Sequence, residues 1–180
     1  MKALLVIDAQ NGIINFGDFK KELSLIENVI KDFKESGSPV IFMRHFDDMA
    51  ESPLYKGTTG FEIHNSLKDY ADYVLDKQTP SSFFNTELSN TLEKLCVKHL
   101  FITGFETEFC CMFTSITAFD RGYKVTLIKD ATGSLNTNET YQMEGLNIRE
   151  FVGKVLKWSG TIEVLEYEEY VNHYKEENIK

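Results

Sequence analysis

Three side chains that could cooperate in nucleophilic catalysis stand at the ends of apolar segments. Asp8 follows residues 2–7, Lys77 follows residues 72–76, and Cys110 lies a short loop beyond residues 99–103. A thiol can attack a carbonyl carbon, a carboxylate can take the thiol proton, and a nearby ammonium favours the thiolate. If the three segments are strands of one sheet, the three side chains could form one catalytic site.

The elements that would position these residues alternate along the chain. Apolar runs predict strands at residues 2–7, 39–43, 72–76, 99–103, 124–128 and 161–165. Helical spacing predicts helices at residues 20–35, 86–97, 108–121, 138–158 and 168–175, with a further short helix at 61–70. This alternation predicts an α/β fold, a three-layer α-β-α arrangement around a six-stranded, mostly parallel, doubly wound sheet.

The carboxyl ends of parallel strands share one edge of a sheet, and ligands bind there in open α/β folds. Asp8, Lys77, the pair Arg44 and His45, and the loop before Cys110 are therefore expected at one rim. Each residue taken alone also has a non-catalytic interpretation. Lys77 could be an exposed strand-end lysine, and Asp8 could be a turn carboxylate.

Cys110 is expected in the first turn of a helix that Thr107 caps. The helix dipole and free backbone N–H groups would lower the pKa of the thiol and could hold an oxyanion. The alternative is that Cys110 is a small buried apolar residue. Cys111 lies about 100° further round the helix and is expected to pack. A redox pair of Cys110 and Cys111 stays open.

Composition limits the class of protein. The 180 residues fit one domain spanning residues 1–180, and the net charge of -9 argues against nucleic acid or an anionic membrane as partner. Apolar runs are too short to span a membrane. Three cysteines do not form a secreted disulfide framework, so we expect a cytoplasmic protein with Cys96 in its core.

Cofactor sites have weak support in the sequence. His45, Asp47 and His64 are metal-ligand types in or near a long irregular segment, but their spacing fixes no coordination geometry. No glycine-rich phosphate fingerprint follows the first strand. We therefore expect neither a metal nor a nucleotide cofactor.

Three motifs carry a resemblance to a known family. They read LLVIDAQNGI from Leu4, DKQTPSSFFNTEL from Asp76, and ITGFETEFCC from Ile102, followed by the strand GYKVTLIKDA. In this order they resemble the D-x-Q-N, lysine-S-x-F and G-x-x-T-x-x-C-V motifs of the isochorismatase-like cysteine hydrolases. That superfamily includes nicotinamidases and other small amidases.

The resemblance implies a triad of Asp8, Lys77 and Cys110, and a cis peptide between Phe105 and Glu106. The backbone N–H groups of Glu106 and Cys110 would form the oxyanion hole. Cys110 would attack the carboxamide carbon of a small-molecule amide, and Asp8 would move the proton to the departing ammonia. A homodimer or larger homo-oligomer is expected, to which Tyr167, Tyr170 and Tyr174 could contribute unless they pack in the core.

Departures from the family pattern bear on the substrate. The D-x-H metal motif of nicotinamidases is replaced by MRHFD, and isochorismatases lack the nucleophilic cysteine that Cys110 supplies. Specificity determinants are expected in residues 44–60, and whether this long segment is a lid stays open. A non-catalytic binding member of the fold stays an alternative to the amidohydrolase. Candidate pocket walls are Gln10, Phe16, His45, Tyr55 and Phe84.

Overall fold

The computed structural model of the protein describes residues 1–175 and contains one six-stranded parallel sheet. The strands are β1 (Lys2–Ile7), β2 (Val40–His45), β3 (Tyr73–Lys77), β4 (His99–Phe105), β5 (Lys124–Gly133) and β6 (Glu163–Leu165), in the spatial order β3-β2-β1-β4-β5-β6. Every neighbouring pair is parallel. The predicted α/β class and doubly wound sheet are confirmed.

Helices cover both faces of this sheet. They are α1 (Asn11–Ile14), α2 (Lys20–Glu35), α3 (Leu88–Lys94), α4 (Met112–Asp120), α5 (Ile148–Trp158) and α6 (Tyr167–Tyr174), with a 3-10 turn at Lys68–Tyr70 and a π-helical turn at Thr107–Cys111. Alternate residues of β1 enter two separate cores: Leu5 faces the core that includes α3 and α5, whereas Leu4 faces the core that includes α2. A strand buried on both faces explains the continuous apolar run at the start of the chain.

The strand order reverses direction between β1 and β4, so a crevice opens at the carboxyl ends of these two strands. Here Ile7 pairs with Gly104. Gly104 has φ +114, and a Cβ at this position would lie 2.0 Å from the carbonyl oxygen of Ile7. Only glycine allows β4 to approach β1 this closely immediately before the loop that carries Cys110.

The carboxyl ends of β2 and β5, which lie at the rim of the site, extend further than the sequence predicts. Arg44 and His45 belong to β2 because they pair with Asp76 and Lys77 of β3. β5 runs on to Gly133, five residues beyond the predicted end. The side chains of β2 and β5 therefore reach further along the rim than apolar patterning alone indicates.

Helix boundaries show larger differences. The predicted helix at residues 138–158 is wrong in its first half: Asn147 accepts a hydrogen bond from the N–H of Glu150 at 3.1 Å and caps α5, which begins at Ile148. The predicted helix at residues 61–70 contains only the 3-10 turn Lys68–Tyr70. The predicted helix at 86–97 is shorter at both ends, and Cys96 is exposed beyond α3 with φ +52, so its core placement was wrong.

The C-terminal helix α6 packs its tyrosines inward. Tyr170 is buried, and the ring of Phe101 lies 5.8 Å from Tyr170 and 4.9 Å from Tyr174. Core packing therefore explains these aromatic residues. Among residues 1–175, no helix is both long and apolar enough to cross a membrane.

Candidate active site

Asp8, Lys77 and Cys110 meet at the crevice between β1 and β4. The Lys77 ammonium nitrogen lies 2.7 Å from Asp8 Oδ2 and 3.1 Å from Cys110 Sγ. Asp8 and Lys77 are each 1 % exposed and Cys110 is 8 % exposed. The three residues predicted from the sequence therefore form one buried, hydrogen-bonded cluster. Lys77 is buried, so the alternative of an exposed strand-end lysine is wrong.

The backbone aims each side chain at this cluster. Asp8 adopts φ +50, and its N–H donates to the carbonyl oxygen of Met43 at 2.9 Å, which turns the chain out of β1. Cys110 lies in the π-helical turn that follows β4, where the carbonyl oxygen of Glu106 accepts from the N–H groups of Phe109 and Cys111. π-Helical turns are rare and are frequently found at functional sites.

The start of that turn differs from the expected cap. The Thr107 side chain does not cap the helix but donates to Thr132 Oγ1 at 2.9 Å, which ties the turn to β5. The peptide between Phe105 and Glu106 is cis, as the resemblance implied. The oxyanion role of the Glu106 and Cys110 N–H groups stays a prediction.

The pKa of the Cys110 thiol differs from the sequence expectation. Burial raises the pKa of Cys110, the Asp8 charge raises it further, and the Lys77 ammonium only partly opposes them. Burial lowers the pKa of Lys77, but the charges of Asp8 and Cys110 outweigh burial and raise it. At rest the Lys77 ammonium therefore lies beside a neutral Cys110 thiol, and the expected lowering of the thiol pKa was wrong.

His45, predicted as a pocket wall, contacts the cluster directly. Its Nδ1 lies 3.3 Å from Lys77 Nζ and its Nε2 lies 3.3 Å from Asp47 Oδ1. Burial and the Lys77 charge lower the pKa of His45, against the opposing charges of Asp8 and Asp47. A neutral ring that accepts from Lys77 at Nδ1 and donates to Asp47 at Nε2 satisfies both contacts.

A metal ion does not fit this cluster. Within residues 1–175, the group that offers three ligand atoms is Asp8, His45 and Cys110, all within 4.8 Å of one another. The Lys77 ammonium, however, lies within 3.3 Å of an atom of each of these residues and already supplies the positive charge. The other two candidates are not part of the group: Asp47 contacts His45 Nε2 at 3.3 Å, and His64 contacts Ser66 Oγ through Nδ1 at 2.9 Å.

Gln10 fixes the irregular segment at residues 46–67 beside the site. Its amide nitrogen donates to the carbonyl oxygens of His45 at 2.8 Å and Phe61 at 2.7 Å, and its oxygen accepts from the N–H of His45 at 2.8 Å. The Gly12 N–H donates to the carbonyl oxygen of Gly60 at 2.8 Å. The D-A-Q-N-G motif therefore anchors this segment, a role that its sequence did not reveal.

The remaining pocket candidates lie further out. Tyr55 forms an isolated β-bridge with Asp47, the partner of His45, which places it near the site. Phe16 and Phe84 are 69 % and 59 % exposed. Their participation in a substrate pocket stays a prediction.

Two carboxylates that the sequence analysis did not single out flank the nucleophile. Glu106 Oε2 accepts from the N–H of Leu135 at 2.7 Å, and burial raises the pKa of Glu106 to about 7. Glu108 is buried, and its Oε1 accepts hydrogen bonds of 2.8 to 3.0 Å from three side chains, those of Ser134, Asn136 and Tyr141. These hydrogen bonds connect the π-helical turn that carries Cys110 to the segment after β5.

Cys111 is fully buried, as expected for a packing residue. Burial holds the pKa of Cys111 well above its ordinary value, and Cys110 and Asp8 add to this effect. Two thiols with raised pKa values form thiolate reluctantly, and thiolate is the species that exchanges disulfides. These surroundings give the redox alternative no support.

Known proteins resemble this chain in sequence and in fold. The isochorismatase domain family model matches residues 2–159. The uncharacterized isochorismatase family protein YaaI of Bacillus subtilis is 41% identical over 152 residues, which cover 77% of this chain and 83% of YaaI. Nicotinamidase 3 of Arabidopsis thaliana is 32% identical over 151 residues, 74% of each chain. An isochorismatase-like hydrolase from Alkaliphilus metalliredigens shares the fold with a TM-score of 0.79 at 21% identity, over 96% of this chain and 98% of that one.

Proposed function

The chain belongs to the isochorismatase family, and from that premise we propose that it is a cysteine-dependent amidohydrolase acting on a small-molecule amide or related C–N bond. The observation that carries the proposal is the buried Lys77 ammonium that hydrogen-bonds both Asp8 and Cys110. A buried ion pair is costly to maintain for stability alone. Its placement against a thiol at the sheet crevice favours a catalytic role.

In the first half of the proposed reaction, Cys110 Sγ attacks the amide carbonyl carbon while Asp8 takes the thiol proton. The proximity of Asp8 suits this transfer, since the thiol is neutral at rest. The backbone N–H groups of Glu106 and Cys110 stabilise the oxyanion. Asp8 then returns the proton to the nitrogen as the C–N bond breaks, which releases ammonia or an amine and leaves a thioester on Cys110.

In the second half, a water molecule attacks the thioester carbon and gives a proton to Asp8. The C–S bond breaks, the acid product leaves, and the proton on Asp8 returns to Cys110 Sγ. Lys77 stays protonated throughout the cycle, because the neighbouring negative charge on Asp8 or Cys110 raises the pKa of its ammonium group. No step requires a metal, in keeping with the position of Lys77 among the candidate ligand atoms.

The proposal is tested by screening small primary amides for ammonia release, with and without chelator. Cys110→Ala should abolish release from any amide that the wild type hydrolyses, whereas Cys96→Ser, which changes an exposed thiol outside the site, should retain the wild-type rate. The chelator should have no effect. Turnover by Cys110→Ala would refute the cysteine mechanism.

A second measurement separates the enzyme from a non-catalytic binding member. Intact mass spectrometry after rapid quenching should detect a hydroxylamine-sensitive acyl group on wild-type Cys110 and none on the alanine variant. A protein that binds members of the amide panel, yet neither releases ammonia nor becomes acylated, would favour the binding alternative. The cytoplasmic location stays a prediction.

A further inference from the structure

His45 lies between the cluster of Asp8, Lys77 and Cys110 and the irregular segment at residues 46–67. In the parallel pairing of β2 with β3, His45 stands opposite Lys77. Its Nδ1 lies 3.3 Å from Lys77 Nζ, and its Nε2 lies 3.3 Å from Asp47 Oδ1. The proposed reaction gives His45 no proton to take or to donate, so it does not explain why both ring nitrogens are engaged.

The Lys77 ammonium has three N–H groups and is surrounded by acceptors. The two nearest are Asp8 Oδ2 at 2.7 Å and Cys110 Sγ at 3.1 Å, followed by His45 Nδ1 and the carbonyl oxygen of Thr79, each at 3.3 Å. Sulfur is a weaker acceptor than a carboxylate or carbonyl oxygen. An ammonium that His45 no longer holds should therefore drift from Sγ towards the oxygens.

His45 can accept a hydrogen bond from Lys77 in only one protonation state. Nδ1 must carry a lone pair, which requires a neutral ring with its proton on Nε2. Burial and the Lys77 charge lower the pKa of His45 against the charges of Asp8 and Asp47, so the ring is neutral at pH 7.5. Asp47 lies at Nε2 and favours the proton there, and the partner of one ring nitrogen decides which nitrogen is protonated.

Asp47 is itself fixed by the segment that follows β2. Its Oδ2 accepts a hydrogen bond from Ser52 Oγ, its N–H donates to the carbonyl oxygen of Leu54 at 3.3 Å, and it forms an isolated β-bridge with Tyr55. The contacts therefore run without a break from residues 52–55 through Asp47 and His45 to the ammonium group.

We propose that His45 and Asp47 form a positioning pair for Lys77: Asp47 holds His45 as the Nε2–H tautomer, and His45 Nδ1 holds the ammonium against Cys110. The effect of this pair on turnover rests on the proposed amidohydrolase function. The tautomer of His45 and the reactivity of the Cys110 thiol do not, because both can be measured without a substrate.

A charged His45 fits the contacts less well. An imidazolium donates from both nitrogens, so Nδ1 would turn an N–H towards the Lys77 ammonium 3.3 Å away, with no acceptor for either cation in that contact. Two like charges at this distance disfavour the second one. The neutral tautomer instead gives every N–H of the chain from Lys77 to Asp47 an acceptor.

The tautomer is tested by ¹⁵N NMR of the full chain with labelled histidine at pH 7.5. The sequence has four histidines, so the signals that vanish in His45→Asn identify His45. We expect an unprotonated Nδ1 and a protonated Nε2, and Asp47→Asn should weaken this preference. An Nδ1–H tautomer or an imidazolium at this pH would overturn the proposal.

The position of the ammonium is tested by iodoacetamide modification of Cys110 in the same buffer. His45→Leu removes the acceptor, whereas His45→Asn places an amide oxygen near the position of Nδ1. At an effective dielectric constant of about 20, a retreat of the ammonium from 3.1 Å by ~1 Å makes the thiolate about ten-fold less populated. The more basic thiolate is also more nucleophilic, so alkylation should slow about three-fold in His45→Leu. It should stay near the wild-type rate in His45→Asn.

Controls separate positioning from a structural role. His173→Leu, the same substitution at an exposed position of α6, should be alkylated at the wild-type rate. A side chain that only fills space would give equal rates in His45→Leu and His45→Asn, and a loosened site would give faster alkylation; either result would overturn the proposal. If circular dichroism shows that His45→Leu does not fold, Asp47→Asn provides the second test, and its alkylation should also be slower.

Turnover gives a further readout for any amide that the wild type hydrolyses. His45→Leu should lower kcat by about ten- to hundred-fold with little change in KM, the cost of misplacing a catalytic group by about 1 Å. His45→Asn should restore most of the loss, and an unrescued variant would contradict the role of Nδ1 as acceptor. A wild type that hydrolyses no amide would refute the proposed function alone, since the tautomer and the alkylation rates still decide between the positioning pair and a structural role.

Discussion

Replacing Asp8 by Asn should separate the reactivity of Cys110 from turnover. Asp8 is the first charge after burial that raises the pKa of Cys110, and Lys77 is the charge that lowers it. In Asp8→Asn the carboxylate is lost, and a thiolate at Cys110 can take its place as the partner of the Lys77 ammonium. We therefore expect a thiol that alkylates faster in an enzyme that turns over more slowly.

The size of the effect follows from the distance. The ligand atoms of Asp8 and Cys110 lie within 4.8 Å of each other. At 4.8 Å, two unit charges in a medium with an effective dielectric constant of about 20 repel each other by about 3.5 kcal/mol. Removing this repulsion lowers the thiol pKa by about 2.5. Thiolate nucleophilicity falls along with its pKa, which offsets almost half of the gain on a logarithmic scale, so alkylation should accelerate about twenty-fold. Loss of the general base should slow turnover by ~10²–10⁴.

The assay is iodoacetamide modification of Cys110 at pH 7.5, followed by peptide mass spectrometry, beside ammonia release from an active amide. Lys77→Met supplies the opposite control: it removes the cation that favours the thiolate, so alkylation and turnover should both slow. A scaffold role for the ion pair would instead loosen the site and speed alkylation in both variants. Unchanged or slower alkylation in Asp8→Asn would refute the electrostatic reasoning.

Three further predictions concern the frame of the site. Burial raises the pKa of Glu106 from 4.5 to about 7, so between these pH values the folded state retains a proton that the unfolded state has lost. The free energy of unfolding should therefore fall as the pH rises from 4.5 to about 7, by up to ~1.4 kcal/mol per pH unit. Denaturant titrations of Glu106→Gln should lack this component; an unchanged slope would contradict it. Gly104→Ala should cost at least about 4 kcal/mol through its clash with Ile7, whereas Gly37→Ala, which also has positive φ but open space, should cost ~1 kcal/mol. Gln10→Ala should cost about 2–4 kcal/mol and speed proteolysis within residues 46–63, since it leaves the part-buried backbone N–H and carbonyl of His45 and the buried carbonyl of Phe61 without their partner; equal cleavage rates would argue against its anchoring role.

The parts of the fold that sequence predicts well are those specified by local patterns. The continuous apolar run predicts β1 and the helical spacing predicts α2 with their observed bounds, because each segment reports its own burial. The carboxyl-end rule then brings Asp8, Lys77 and Cys110 to one rim before any distance is known. Asn147 followed by Glu150 was a readable cap signal, and it would have placed the start of α5 correctly.

Other features depend on contacts between distant parts of the chain. Gln10 pairs with His45 and Phe61, and no local pattern around Gln10 indicates partners 35 and 51 residues away. The π-helical turn shares its residue types with an α-helical first turn, so sequence gives no means of distinguishing them. Glu108 resembles an ordinary acidic residue in a helix, and only the fold shows that three donors from residues 134–141 converge on it.

The protonation state of Cys110 shows why position along the chain is not enough. A helix start and a neighbouring lysine both favour thiolate, and sequence reveals both. Sequence does not reveal that the thiol is 8 % exposed or that the lysine is already paired with Asp8, and burial and the Asp8 charge raise the pKa. A thiol kept neutral at rest is poorly reactive towards oxidants and electrophiles. In the proposed mechanism it becomes a nucleophile only when Asp8 takes its proton, so the same carboxylate that suppresses the resting thiolate would activate Cys110 against a bound amide.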